Sequence, residues 1–430
     1  MRSHPDIDRL RAEAERYRRC FVPETSAQRH AVVTRVKAGI LVRPHRGMYA
    51  DAGYWESLDP AERTRHIIRT LARQRPGRVF AGLSAAAMMQ LEYGWRLHDD
   101  GAIFLASSFG KRMSAAGEGC AGSGICRIVM RQAPTVMIVR TRDGRGSSTV
   151  ILPVSSDASN PTTGGTMTGA PPSASTAIRP IVGTPDGPSA VTANVMHRPD
   201  SWIDGMSSDM ANTSPTVPPS GVASDVVDTV LVTSPARTLV DCGLRYPFVE
   251  MLPMFDSAFR RHLVTREQIL EVCDGVHADC GHVFRLLRHA NPLNENGGES
   301  RCYATIIDEG FAVPQSQVVF VDPNAPWNRY RADFVWHTPD GRVIVLEYDG
   351  TAKYVDPTMT KRRDVRDVVR AEREREAALR RAGVTTIIRV NHDEVVRRVP
   401  LVHKLLEAGV PMAVAHPLYE RPAGTAADAC

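Results

Sequence analysis

The stretch Arg331-Ala-Asp-Phe-Val-Trp-His-Thr-Pro-Asp-Gly-Arg-Val-Ile-Val-Leu-Glu-Tyr-Asp-Gly350 reads as two β-strands joined by a tight turn, with acids where a strand is usually apolar. Pro339-Asp340-Gly341 fits a type I turn closed by a left-handed glycine, because proline presets the first angle and glycine accepts the last. Closing the hairpin there pairs Thr338 with Arg342. Counting outward sets Asp333 opposite Glu347, with Asp349 two residues further along the same face. Like charges opposite one another destabilise a sheet, so the arrangement asks for a counter-charge. A hard divalent cation supplies one, since Mg²⁺ binds one or two carboxylates and fills its shell with water and phosphate. The plainer reading of the same residues is a polar sheet face at a domain edge.

Outward from the hairpin, Gly298-Glu299-Ser300 opens a helical stretch to Glu309, a basic helix runs through Glu372 to Arg381, and Gly383-Val-Thr-Thr-Ile-Ile-Arg-Val390 reads as a closing strand. As a set these motifs resemble the PD-(D/E)xK nuclease superfamily, and more narrowly its branch related to very-short-patch-repair endonucleases. The resemblance covers about the last third of the chain. It implies a restriction-endonuclease-like α/β core and phosphodiester hydrolysis with Mg²⁺ or Mn²⁺. Asp333 and Glu347 would be the metal ligands, with Glu299 and Asp349 completing the catalytic acids. The superfamily's lysine, two residues after the hairpin glutamate, is replaced by Asp349 here. Lys353, or else Lys361, is the candidate cation to reach in from the following segment. The helix over 359–381 interleaves nine Lys/Arg with five Asp/Glu and reads mainly as a solvated, salt-bridged face.

Residues 1–50 hold eleven Lys/Arg against five Asp/Glu, an excess of six where the whole chain has only five, so the footprint for a polyanion lies at the N-terminus. Ile7, Leu10, Ala14 and Tyr17 recur at helical spacing, a second helix runs from Ser26 to Gly39, and Ile40 to Tyr49 forms two strands around a basic tip. That order is the order of a winged helix. Gln28, Arg29, His30 and Arg35 would face a major groove, and Arg43, His45 and Arg46 on the wing would meet phosphates of double-stranded DNA. A protein-binding winged helix is the alternative. The Gly39 to Tyr49 stretch is similar to the N-terminal winged helix of AbiEi-type antitoxins, which implies a cognate toxin protein as partner.

In the middle, Ser84 is expected to head an apolar helix, Ser234 and Pro235 to open another after the strand 226–232, and Thr265 to cap a third through a capping box with Gln268. Arg237 and Asp241 have the spacing of a local ion pair. Residues 141–225 are rich in Ser, Thr, Pro and Gly and read as a disordered insertion. No run approaches the length of a spanning helix and the first residues lack the apolar core of a signal peptide, so a soluble, cytoplasmic chain without membrane partners is expected. The eight cysteines have no Cys-x-x-Cys spacing and read as buried free thiols.

The resulting expectation is a multidomain α+β chain. A winged helix spans 1–55, an α+β middle domain 56–290, a PD-(D/E)xK nuclease-like domain 291–415 and a tail 416–430. The function expected is DNA binding joined to a Mg²⁺-dependent endonuclease-like activity, in phage defence or DNA repair. The alternative is a non-catalytic antitoxin or transcriptional regulator.

Overall fold

The computed structural model describes residues 4–108, 124–130, 133–143, 146–154, 225–350 and 365–413. They belong to one compact unit, built from Met1–Val154 with Asp225–Cys430. It is a mixed α/β structure with three sheets.

Helix α1 (Pro5–Arg16) begins with proline in its first turn and carries Asp6 and Asp8 where the helix dipole is positive. Helix α2 (Ser26–Lys37) opens in a capping box between Thr25 and Gln28 and ends at Gly39, whose φ of +71° suits glycine. Strands β1 (Leu41–His45) and β2 (Met48–Asp51) follow as a hairpin turning at Gly47. Ile7, Ala14, Phe21, Val32 and Leu41 form a small core beneath them.

Beyond the hairpin come α3 (Ala52–Ser57), α4 (Pro60–Gln74), β3 (Val79–Phe80) and α5 (Gly82–Met88). Then follow β4 (Ile103–Ser107), β5 (Ile125–Val129), β6 (Thr135–Asp143), β7 (Gly146–Pro153) and β8 (Asp225–Thr233). These make a six-stranded sheet of order β5-β4-β3-β8-β6-β7. Two expectations are corrected here. Ser84 does not head α5 but lies inside it, fully buried, where its Oγ accepts a hydrogen bond from the Phe104 amide at 2.8 Å and so stitches the helix to β4. Residues 141–143 and 146–153, expected to be disordered, are the end of β6 and all of β7. The apolar run Val150-Ile-Leu152 inside a Ser/Thr-rich stretch pairs with β6, which average composition hides. The rest of that insertion, 155–224, lies outside the described residues, as does the tail beyond 413.

Helix α6 (Pro235–Gly243) is capped by Ser234 and holds the Arg237–Asp241 pair at 2.9 Å. Helix α7 (Phe248–Arg260) has Met251, Leu252, Met254 and Phe255 fully buried and runs through the main core. Helices α8 (Arg266–Gly275), opened by the Thr265 capping box, and α9 (Gly281–His289) cover it. Cys20, Cys242, Cys273, Cys280 and Cys302 are buried free thiols. Cys126 departs from the expectation and is held in a disulfide, a pairing that spacing along the chain does not reveal.

The remaining elements are α10 (Gly297–Asp308), β9 (Gln315–Asp322), β10 (Ala325–His337), β11 (Val343–Asp349), α11 (Val365–Arg381), β12 (Thr386–Asn391), α12 (His392–Arg397) and α13 (Val399–Glu407). The sheet order is β12-β11-β10-β9, with β11 and β12 parallel. Both faces of this sheet are covered around β11 and the second half of β10. Phe334, Trp336, Ile344 and Leu346 join the main core with Cys302, Tyr303 and Ile306 of α10, whereas Val335 and Val345 join a smaller core with Leu379 of α11.

A buried polar network fastens α7 to the start of this region. Asp256 is fully buried and accepts from the Asn291 amide at 2.7 Å and from Asn294 Nδ2 at 2.8 Å, while Ser316 of β9 bonds both asparagines. Burial pushes the Asp256 carboxyl up from 3.8 to about 6. The folded chain therefore holds this proton up to about pH 6 and the unfolded chain only to about 3.8. The associated stability is complete below the lower value and is lost as pH rises through the upper one, about 3 kcal/mol in all. Urea unfolding of the native chain and of Asp256→Asn between pH 4 and 7 checks this. The stability advantage of the native chain should shrink across that window, and a pH-independent difference would refute it.

Candidate functional site

The hairpin closes as its turn chemistry requires. Thr338 N donates to Arg342 O at 3.0 Å, and Gly341 takes a φ of +82°. The ladder runs from His337↔Val343 to Phe334↔Leu346, which makes Asp333 and Glu347 the next positions on the two strands. There the regular pattern breaks. Ala332 packs in the smaller core together with Val335, although strict alternation would send it with Phe334 into the main core. Asp333 Oδ2 instead accepts from the Tyr348 amide at 2.8 Å, so its carboxylate folds over the end of β11.

On the other side of Asp333, the β9–β10 pairing skips from Ala332↔Val318 to Phe334↔Ser316, and the skipped residue, Gln317, has a φ of +57°. A left-handed glutamine inside a strand is strained, and the strain has a visible product. Gln317 Nε2 donates to Glu299 Oε2 at 2.9 Å. Glu299, in the first turn of α10 and only 6% exposed, also accepts from the Glu295 amide at 2.8 Å and from Asn296 Nδ2 at 2.5 Å. Asn296 is itself the helix cap, accepting from the amides of Gly298 and Glu299.

Glu347 is held by Arg375 of α11, which donates to its Oε1 at 2.5 Å and to the Arg331 carbonyl at 2.8 Å. Burial pushes the Glu347 carboxyl up, Arg375 pulls against that shift, and Asp333 adds to it. Glu299 is likewise pushed up by burial, with Asp333 again adding. Asp333 thus lies electrostatically between the two glutamates. Cys302, buried on α10, is pushed up by burial and by the same Asp333 and Glu299 charges. Gly298 is required by close approach, because a Cβ there would come within 2.4 Å of Tyr348 Oη, which hydrogen-bonds His392 Nδ1 at 3.1 Å.

These residues open on a cleft of about 1760 Å³. Glu299, Asp333, Glu347 and Asp349, the four expected catalytic acids, all line it. Residues 90–96, far from these acids in the chain, line it as well. Among the described residues the lining holds nine Asp/Glu and seven Arg, leaving the cleft two charges negative. Lys353 and Lys361 lie outside the described residues. Also among the described residues, no group of three or more His, Cys, Asp or Glu is placed to hold a metal ion. Two neighbouring carboxylates, Asp333 and Glu347, still match the one or two that Mg²⁺ usually takes from a protein.

None of the expected DNA-contacting residues lines the cleft. Arg29, Arg43 and Arg46 are exposed and His45 is half-buried, its imidazole pushed down by burial. Arg35 departs from the expectation, since it is buried and donates to the Ala31 carbonyl at 3.2 Å. Gln28 is buried too, spent on the cap of α2.

Two residues of the site carry no clear sequence signal. Arg375 is one of six basic residues on α11, and only the sheet geometry singles it out. Gln317 is an ordinary strand residue until its backbone angle is known. Comparison with protein-family models, curated proteins and solved structures finds no match.

The strain at position 317 is measurable. Gln317→Gly and Gln317→Ala both lose the amide bond to Glu299, but only glycine adopts a positive φ without cost. Glycine should therefore be the more stable variant by about 1 kcal/mol in urea unfolding, the reverse of the usual order in a strand. Alanine equal to or better than glycine would show that the angle is unstrained.

Proposed function

We propose that the cleft is a Mg²⁺-dependent phosphodiesterase site acting on nucleic acid, in keeping with the resemblance of the last third of the chain to PD-(D/E)xK nucleases. The observation that carries this reading is the charge of the described lining of the cleft, two units negative with acids gathered around Asp333. A cleft of that charge repels a phosphodiester. One divalent ion on Asp333 and Glu347 would bring it to neutrality, and when bound would supply positive charge to the phosphate and a water of lowered pKa. Arg375 opposes the upward push of burial on Glu347 and fixes that carboxylate in place, a cation beside the acids where Asp349 supplies no lysine. Arg373, exposed on the cleft, is suited to phosphate oxygens, as are Arg331 and Arg389 once released from their ion pairs with Glu295 and Glu372. Asn296 and Gln317 hold Glu299 toward the same space.

The purified chain, incubated with plasmid, single-stranded DNA and RNA in Mg²⁺ or Mn²⁺, should cut at least one of them. Asp333→Asn should slow that cutting by about 100-fold or more, the scale on which a group stabilising transition-state charge acts. Equal cutting by both proteins, or none by the native chain on any substrate, would overturn the reading.

A second reading, a DNA-binding regulator or antitoxin with a cognate toxin partner, is favoured by the exposed Arg43 and Arg46 beside the small helical core. Each phosphate contact contributes about 0.9 to the slope of log affinity against log salt. Arg43→Ala with Arg46→Ala should flatten the slope for duplex DNA carrying the protein's own promoter by about 1.8, with Asp333→Asn unchanged. An unaltered slope removes this hairpin from DNA binding.

A further inference from the structure

Trp95 lines the cleft from outside the nuclease-like segment, and it is 60% exposed. The same cleft is lined by Arg96, next to it in the chain, and by Arg331 and Arg373 from residues 291–415. The turn that presents it, Trp95–His98, is braced from two directions. His98 is buried, with Nδ1 at 3.1 Å from Thr64 Oγ1 and Nε2 at 2.9 Å from the buried Tyr93 hydroxyl. Gly94 lies so close to Glu250 that a Cβ would fall 2.3 Å from Oε2. Glu250 in turn holds Arg301 through two bonds of 2.6 and 2.7 Å, and Arg301 is on α10 two residues after Glu299. The indole is therefore exposed on a turn whose backbone is braced, and that turn packs against the Glu250–Arg301 pair on the helix that carries Glu299.

An exposed indole on a braced turn, in a cleft also lined by arginines, offers a flat apolar face for a base and positive charge for its phosphate, the two parts of an unpaired nucleotide. A base inside a duplex has both faces covered by its neighbours and gains little from such a platform. We propose that Trp95 stacks on an unpaired base, so that the cleft takes nucleic acid with single-stranded nucleotides. This rests on the nucleic-acid reading of the cleft and narrows it to a substrate class.

Fluorescence anisotropy with a labelled oligothymidylate and a labelled blunt duplex, in Ca²⁺ to limit hydrolysis, tests the idea on the full chain. The native chain should bind the single strand, Trp95→Ala should weaken it about tenfold, and Trp95→Phe should recover most of the loss, as expected for one stacked base. Duplex affinity should not change in either variant. Indole fluorescence should be quenched by the oligothymidylate in the native chain and less so in Trp95→Phe. Unchanged single-strand affinity in Trp95→Ala, an equal loss on both substrates, or no single-strand binding by the native chain would overturn the proposal. The two readings separate cleanly. Cutting that depends on Asp333 but not on Trp95 sinks only the stacking platform, whereas Trp95-dependent binding without Asp333-dependent cutting sinks only the hydrolysis.

Discussion

Asp333 lies electrostatically between two other carboxyls, Glu299 and Glu347, and raises the proton affinity of both. Like charges about 4 Å apart repel by about 4 kcal/mol at the effective dielectric of a protein surface, so such a group persists only with counter-charges and donors built around it. Here they come from three directions. Arg375 reaches Glu347 from α11, Gln317 and Asn296 reach Glu299, and the Tyr348 amide reaches Asp333. Each acid has a partner on a different element, so the helix above the sheet, the helix below it and two strands must all be in place for the site to exist.

That requirement explains local features that otherwise look like defects. The left-handed backbone at Gln317 and the break in alternation at Asp333 occur at facing positions on neighbouring strands, and they turn polar groups toward one cleft. Gly298 lets α10 settle onto Tyr348, which brings Glu299 down to the sheet edge. Behind them, the Asp256 network fixes Asn291 and Asn294 just ahead of that helix, and the Glu250–Arg301 pair fixes its next turn. Local strain is tolerated because a large, dry core holds the frame around it.

Much of the frame was legible in the sequence because it rests on short-range chemistry. The Pro339-Asp340-Gly341 turn gives the hairpin register, and the capping residues Thr25, Ser234 and Thr265 mark helix starts. Long-range partnerships were not legible. Nothing along the chain couples Arg375 to Glu347 or brings residues 90–96 to the cleft that Glu299 lines, since both depend on how separate elements pack. Arg35 was misplaced because a basic residue on a helix gives no sign of which face is buried. The strand β7 was missed because a short apolar run was averaged into a polar stretch. Among the described residues, no helix is long and apolar enough to cross a membrane.

The central claim is that the acids around Asp333 exist to receive a divalent cation, with Arg375 holding Glu347 ready for it. Anomalous diffraction from crystals of the chain soaked in Mn²⁺ addresses that claim directly. The account predicts a Mn²⁺ peak in contact with Asp333 and Glu347 in the native chain and its loss in Asp333→Asn. Crystals that bind Mn²⁺ only elsewhere, with Arg375 still seated on Glu347 and no peak beside Asp333, would contradict it.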